Sequence, residues 1–154
     1  MAKQFDKPFT QQEPIPESAI ARVADILRGG RLHRYNTVSG ETSEASLLEA
    51  EYADWQGASY CLAVTSGGQA LQIALRAAGV GPGTQVLANA YTLAPVPGAI
   101  FAAGGKPVLV EIDDNWHTDM DDLRAKAEKS GAKFFMLSHM RGHIADMDEI
   151  TAIC

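Results

Sequence analysis

From Tyr60 onward the sequence alternates short, uninterrupted apolar runs with segments of helical periodicity, and this rhythm restricts the fold more than any other feature. The runs are YCLAV, QVLANA, PVLVEI and KFFMLS. A strand wetted on one face would alternate apolar and polar residues, so a continuous apolar run calls for cover on both faces. Such strands, joined by helices, predict an α/β fold: a mostly parallel sheet with helices on both faces, in three α/β/α layers. The intervening helices are expected at about 69–78, up to Ala103, across Met120, Leu123 and Ala127, and from near Met147. Asp146 with Glu149, and Thr118 with Asp121, have the spacing of a helix cap and the third residue after it. GVGPG, at 79–83, follows a helix and precedes a strand, which makes it a turn. Cys61 lies within YCLAV and is expected to be buried and inert.

The first third reads differently. Pro16 suits the first turn of a helix that places Ile20, Val23, Ala24 and Leu27 on one face and stops at Gly29-Gly30. RLHRYNTVSGE has no periodicity and reads as a loop. A second helix is expected from about Ser43 to Gln56, with Ala45, Leu48, Tyr52 and Trp55 on one stripe and Gly57 at its end. The expected organisation is therefore a helical segment with a loop over 1–56, followed by an α/β portion over 57–154.

Composition narrows the partners. With 13 Lys plus Arg against 19 Asp plus Glu, the net charge is −6, and no basic run offers the phosphate attraction that non-specific nucleic-acid binding needs. No stretch approaches the roughly 18 apolar residues that span a bilayer, and the start, MAKQFDKPFTQQEP, lacks the apolar core of a secretory signal. Two cysteines, Cys61 and Cys154, in neither metal nor redox spacing point to a cytoplasmic protein without a disulfide framework.

In parallel sheets, ligands sit beyond the carboxyl ends of the strands. Those ends fall at Thr65–Gln69, Ala90–Leu93, Asp113–Thr118 and Ser138–His143. Ser66, Gly67, Gly68 and Gln69 run directly into a helix. Small residues there let N–H groups approach an anion, and the helix start adds a partial positive charge. The segment reads either as a phosphate cradle or as a tight turn that binds nothing. It lacks the Lys-Ser or Lys-Thr of the nucleotide P-loop and the glycine spacing of dinucleotide sites. Tyr91 either covers a flat ligand at the mouth of its strand or packs against a helix. His139 and His143 are four apart, but Gly142 between them argues for a loop and no third ligand is close in sequence, so no metal is expected. His139 alone is a cleft-lining hydrogen-bonding group. His33, Arg34 and Tyr35 form a loop cluster that reaches either a substrate, a partner subunit or only solvent.

Taken in order, WQGASYCLAVTSGGQALQIALRAAGVGPGTQVLANAYTLAPVPGAIFAAGGKPVLVEID and the later LSHMRGHIADMDEI resemble the DegT/DnrJ/StrS family of sugar aminotransferases, over about Pro16 to Cys154. The resemblance implies part of the large domain of a fold type I pyridoxal-phosphate enzyme. It further implies transfer of an amino group, usually from glutamate, to a keto group on a nucleotide-linked sugar. It assigns Ser66, Gly67, Gly68 and Gln69 to the cofactor phosphate, and the YTLAP segment to the ring stacked on the pyridine. The usual stacking position is occupied by Leu93, with Tyr91 two residues earlier, and Gly68 stands where a threonine often helps hold the phosphate. His139 and Gly142 match the family's His-x-x-Gly.

The resemblance also implies what is missing. The family's carboxylate partner of the pyridine nitrogen and its cofactor-bearing lysine both lie beyond Cys154. The six lysines present, Lys3, Lys7, Lys106, Lys126, Lys129 and Lys133, fall at termini, turns or helix surfaces by pattern. The chain is therefore expected to be an N-terminal fragment with no catalytic residue of its own and no activity alone. The alternative is a module that retains phosphate or cofactor binding without transamination. In the family arrangement YCLAV pairs with later strands, so its ladder is expected to be incomplete here. A homodimer with the site at the subunit boundary is implied for the full-length enzyme, with the His33–Tyr35 loop as the candidate to cross it.

Overall fold

The computed structural model describes Pro8, Thr10 and residues 12–154, so Lys3 and Lys7 lie outside the described residues. It forms two compact units, 1–63 and 64–154. The first holds α1 (Glu17–Gly29) and α2 (Glu44–Gln56). The Pro16 carbonyl accepts the N–H groups of Ala19 and Ile20, and Gly30, at φ 70°, ends α1 by donating to Ile26 and Leu27. A left-handed residue is what such a C-terminal cap requires, and glycine adopts that conformation without a Cβ clash. Ser43 caps α2 by accepting the Ser46 N–H at 3.2 Å, and Gly57 closes it. These are the ends that the sequence predicts.

YCLAV is not a strand. Residues 60–64 carry no ladder, and the Ala63 N–H donates instead to the Glu49 carboxylate at 2.7 Å. A strand exists only with a partner to take its N–H and C=O groups, and no described strand lies beside this one. Cys61 is consequently half-buried rather than enclosed.

The second unit runs α3 (Gly67–Ala77), β1 (Gln85–Asn89), α4 (Pro95–Ala102), β2 (Lys106–Val110), α5 (Met120–Ser130), β3 (Phe134–Met136), a 3₁₀ turn at Met140–Gly142, and α6 (Met147–Ile153). The strands lie in the order β2-β1-β3, all parallel, with Leu87 beside Val108 and Phe135. Because side chains alternate along a strand, β1 feeds two cores. Val86 and Ala88 pack with Leu75, Val80, Val96 and Ile100 under α3 and α4. Leu87 packs with Val110, Leu123 and Ile150 under α5 and α6. This is the three-layer arrangement expected from the uninterrupted apolar runs. Between α4 and β2 the chain turns so tightly that a Cβ on Gly105 would come within 3.0 Å of Val80 and 3.1 Å of Ile100, which leaves room for glycine alone.

The cap of α6 is Asp146, which accepts the Glu149 N–H at 3.0 Å, as its spacing predicts. The cap of α5 is not Thr118. Asp119 takes that role, accepting the Asp122 N–H at 3.0 Å, because Thr118 is drawn into an antiparallel bridge with Ile112. There the Thr118 hydroxyl is buried and has no hydrogen-bond partner among the described residues. An unpaired buried hydroxyl costs about 1–3 kcal/mol. Thr118→Val, which keeps the shape, is therefore expected to raise stability by about 1 kcal/mol, read as a higher urea midpoint at unchanged slope.

Candidate functional site

The candidate residues of the second unit come from three segments beside the carboxyl ends of the sheet. The first is the start of α3. Ser66 accepts the Gln69 N–H at 3.1 Å, and the Gln69 side chain turns back to accept from the Thr65 hydroxyl at 2.8 Å. Two donors at this helix start are thereby spoken for, and the polar side chains are fixed. The N–H groups of Gly67 and Gly68 donate to nothing among the described residues, as the first turn of a helix leaves them. A Cβ at Gly67 would meet no atom within 4 Å, and one at Gly68 would lie 3.8 Å from Pro95. The start of α3 thus abuts the start of α4, which follows β1, and has open space in front of it.

The second and third segments are joined by one side chain. Asn89, the last residue of β1, is 3% exposed. Its Nδ2 donates to the Tyr91 carbonyl at 2.7 Å and to the Ser138 carbonyl at 3.2 Å, while its Oδ1 accepts the Ser138 N–H at 2.9 Å. Above it the Thr92 and Ser138 hydroxyls lie 2.7 Å apart. The chain after β1 is therefore stitched to the chain after β3, where His139 follows. The His139 Nδ1 faces the Ala145 N–H at 3.4 Å, and His139 itself is exposed.

Tyr91 does not stand alone. Its ring centroid lies 5.0 Å from that of Trp116, at an interplanar angle of 55°, while Leu93 is 62% exposed. Trp116 has φ 69°, a left-handed conformation that a bulky residue adopts only when its surroundings impose it. Asp113 imposes it, since one carboxylate oxygen accepts the N–H groups of Asn115 at 2.8 Å and His117 at 2.9 Å. The His117 N–H, helped by that of Asn115, holds the Asp113 carboxyl below its ordinary range. Neither Asn89 nor Trp116 stands out in the sequence. Asparagine at the end of an apolar run and tryptophan in an Asp/Asn turn look like ordinary strand and loop residues.

His117 and His143 meet edge to face with centroids 5.8 Å apart. His139 and His143 flank the 3₁₀ turn, inside which Arg141 adopts φ 53°. Among the described residues no group of three His, Cys, Asp or Glu side chains could hold a metal ion, and no helix is long and apolar enough to cross a membrane.

His33, Arg34 and Tyr35 belong to the first unit. The His33 and Tyr35 rings are stacked 5.3 Å apart, with Tyr35 83% exposed. The Arg34 guanidinium grips both oxygens of the Glu49 carboxylate. Glu49 is held below its ordinary value by Arg34 first and the Ala63 N–H second, with burial opposing. A lowered folded-state pKa contributes stability that is fully present above the unfolded value and lost as the pH falls through the folded one. Glu49→Gln is therefore expected to flatten the decline of the urea midpoint between about pH 5 and pH 3, compared with the parent over the same range.

Comparison with known proteins fits this geometry. The DegT/DnrJ/EryC1/StrS aminotransferase family profile matches residues 14–154. The UDP-2-acetamido-2-deoxy-3-oxo-D-glucuronate aminotransferase of Pseudomonas aeruginosa is 33% identical over 143 residues, covering 93% of this chain and 38% of that protein. A pleiotropic regulatory protein of Geobacillus stearothermophilus is 38% identical over 107 residues, covering 69% of this chain and 28% of that protein. In three dimensions, a Streptococcus pneumoniae protein assigned as a sugar aminotransferase and solved in its PLP form superposes with TM-score 0.75 at 26% identity, over 97% of this chain and 36% of that one. The chain thus spans about a third of the length of these relatives. A family match that runs from Pro14 to Cys154 takes in the capped start of α3, the stitched ends of β1 and β3 and all three strands between them, so the chain belongs to the DegT/DnrJ/EryC1/StrS aminotransferase family.

Proposed function

We propose that this chain is the N-terminal part of a pyridoxal-phosphate-dependent aminotransferase acting on a keto sugar, inactive by itself for want of the cofactor-bearing lysine and the carboxylate partner of the pyridine nitrogen, and that its share of the work is to hold the cofactor. The observation that carries this reading is the start of α3: two N–H groups with no partner among the described residues, a helix dipole and open space, all at the carboxyl side of a parallel sheet. Those features fit a phosphate dianion. Gly67 and Gly68 hold the phosphate through their backbone, Ser66 and Gln69 keep the turn rigid, and Tyr91, Leu93 two residues on, and His139 border the ring. Bound pyridoxal phosphate supplies the electron sink through which an amino group passes from a donor such as glutamate to the sugar.

None of the described lysines is placed to bear the cofactor. Lys106 begins β2 and Lys133 precedes β3, at the amino edge of the sheet, while Lys129 lies in the last turn of α5. Lys126 is paired with Asp122 at 2.7 Å. Transamination, the sugar nucleotide, the glutamate donor, and a homodimer in which the His33–Tyr35 loop crosses to the partner belong to the whole enzyme in this reading. The organisation as a helical segment over 1–56 and an α/β portion over 57–154 belongs to it too.

The test is titration of the 154-residue chain with pyridoxal 5′-phosphate, followed at the Gly67 and Gly68 amides by NMR and by absorbance after borohydride. Saturable shifts at both amides, with no label fixed to a lysine and no amino transfer from glutamate, are expected. Absence of any amide response defeats the reading. A borohydride-fixed label at a lysine among those described here overturns the lysine assignment.

A further inference from the structure

Tyr91 is held at both ends by groups outside the phosphate turn. Its carbonyl accepts from the buried Asn89 carboxamide at 2.7 Å, and its ring rests on Trp116 at 5.0 Å. The same carboxamide makes two further hydrogen bonds to the Ser138 peptide, the peptide adjoining His139. A buried amide that uses both its oxygen and its nitrogen in this way satisfies itself fully and fixes whatever it grips. Asparagine is not needed here for the ladder. The side chain faces the second core, where its pleat neighbour is Leu87, and an apolar residue there would serve packing better. Trp116 likewise is kept half-exposed, at 54%, in a left-handed conformation that is strained for a bulky residue, with Asp113 offsetting that strain. Both features are unfavourable as packing and both converge on Tyr91.

We infer that Asn89 and Trp116 are positioning residues for the cofactor ring. Asn89 sets the Tyr91 peptide and the His139 peptide in one fixed register, and Trp116 backs the Tyr91 ring so that it presents a rigid flat surface. In this role Tyr91 replaces the aromatic group that Leu93 does not supply. The inference rests on the proposal that pyridoxal phosphate binds at the start of α3, and it adds that the ring, and not only the phosphate, is held by prearranged groups. Prearrangement matters because a side chain already fixed in its bound conformation loses less entropy on binding.

Two variants of the 154-residue chain test this against two probes, pyridoxal 5′-phosphate and inorganic phosphate, with both titrations read at the Gly67 and Gly68 amides. Asn89→Asp keeps the size and the acceptor for the Ser138 N–H but loses both donations. Trp116→Leu removes the backing ring at an exposed position. Each is expected to weaken pyridoxal phosphate at least fivefold while changing inorganic phosphate less than twofold, because the phosphate turn is untouched. A general loss of structure would weaken both probes together. Weakening of pyridoxal phosphate by less than fivefold in a variant overturns the assignment of that residue, and so does equal weakening of both probes. If the parent chain shifts with inorganic phosphate but gains nothing from the pyridoxal ring, the inference fails while the phosphate site stands. If neither probe binds the parent, the proposed function fails with it.

Discussion

Leu123→Ala is expected to lower the unfolding free energy by about 2–5 kcal/mol, a large fraction of what holds a domain of this size folded. Leu123 is fully enclosed, and it sits where α5 meets Leu87 of β1, Val110 of β2 and Ile150 of α6. Truncation removes the transfer energy of the side chain and leaves a cavity whose walls come from three separate elements. Those walls include a strand tied into the parallel ladder of β1 and β2, so they collapse poorly. For a chain of this length the loss corresponds to a melting temperature lower by roughly 5–15 °C. The control is Ile144→Ala, a residue of similar size that is 68% exposed, for which the change should stay within about 0.5 kcal/mol. If the two variants melt within 2 °C of each other, the second core is not the structural centre described here.

Gly67→Asp is expected to separate stability from binding. A Cβ at Gly67 meets no atom within 4 Å, so the aspartate side chain starts from open space. Its carboxylate at the first position of α3 interacts favourably with the helix dipole, by about 0.3–1 kcal/mol, which more than covers any change in helix propensity. The same carboxylate lies in front of the Gly67 and Gly68 N–H groups that the proposal gives to the cofactor phosphate. Affinity for pyridoxal 5′-phosphate should therefore fall by more than tenfold while the melting temperature holds or rises. Both quantities are read on one sample, by dye-free thermal melting and by equilibrium dialysis. Undiminished binding would place the phosphate elsewhere, and a lowered melting temperature would show that Gly67 has a packing role that the open space denies.

How much of this was legible in the sequence differs from segment to segment. The helices α1 to α6 and the strands β1 to β3 fall where apolar periodicity, Gly30, Gly57, Ser43 and Asp146 put them, because those signals act over a few residues. YCLAV carries the same apolar signal as QVLAN but forms no strand, since pairing depends on a neighbour that local sequence does not describe. Thr118 and Asp119 are both competent caps, and the choice between them follows from the bridge between Thr118 and Ile112. In the candidate site, the Ser66–Gln69 turn was readable because its geometry is local: a strand-like run, small residues and a helix. The Asn89 and Trp116 contacts were not, because one joins residues 49 positions apart and the other depends on a carboxylate three residues away holding a strained backbone.

By itself, then, the sequence determined the alternation of apolar runs and helices, the ends of α1 and α2, the start of α6, the small-residue turn into α3 and the family resemblance. All of these but the resemblance, which draws on the order of motifs from Pro16 to Cys154, follow from backbone hydrogen bonding and side-chain periodicity within a span of ten or so residues. Only the tertiary structure decided which strands find partners, which face of β1 feeds which core, and how Tyr91 and His139 are tied to a common point. Those outcomes depend on burial and on hydrogen bonds between segments far apart in the chain, where an unpaired group is costly and a paired one is fixed.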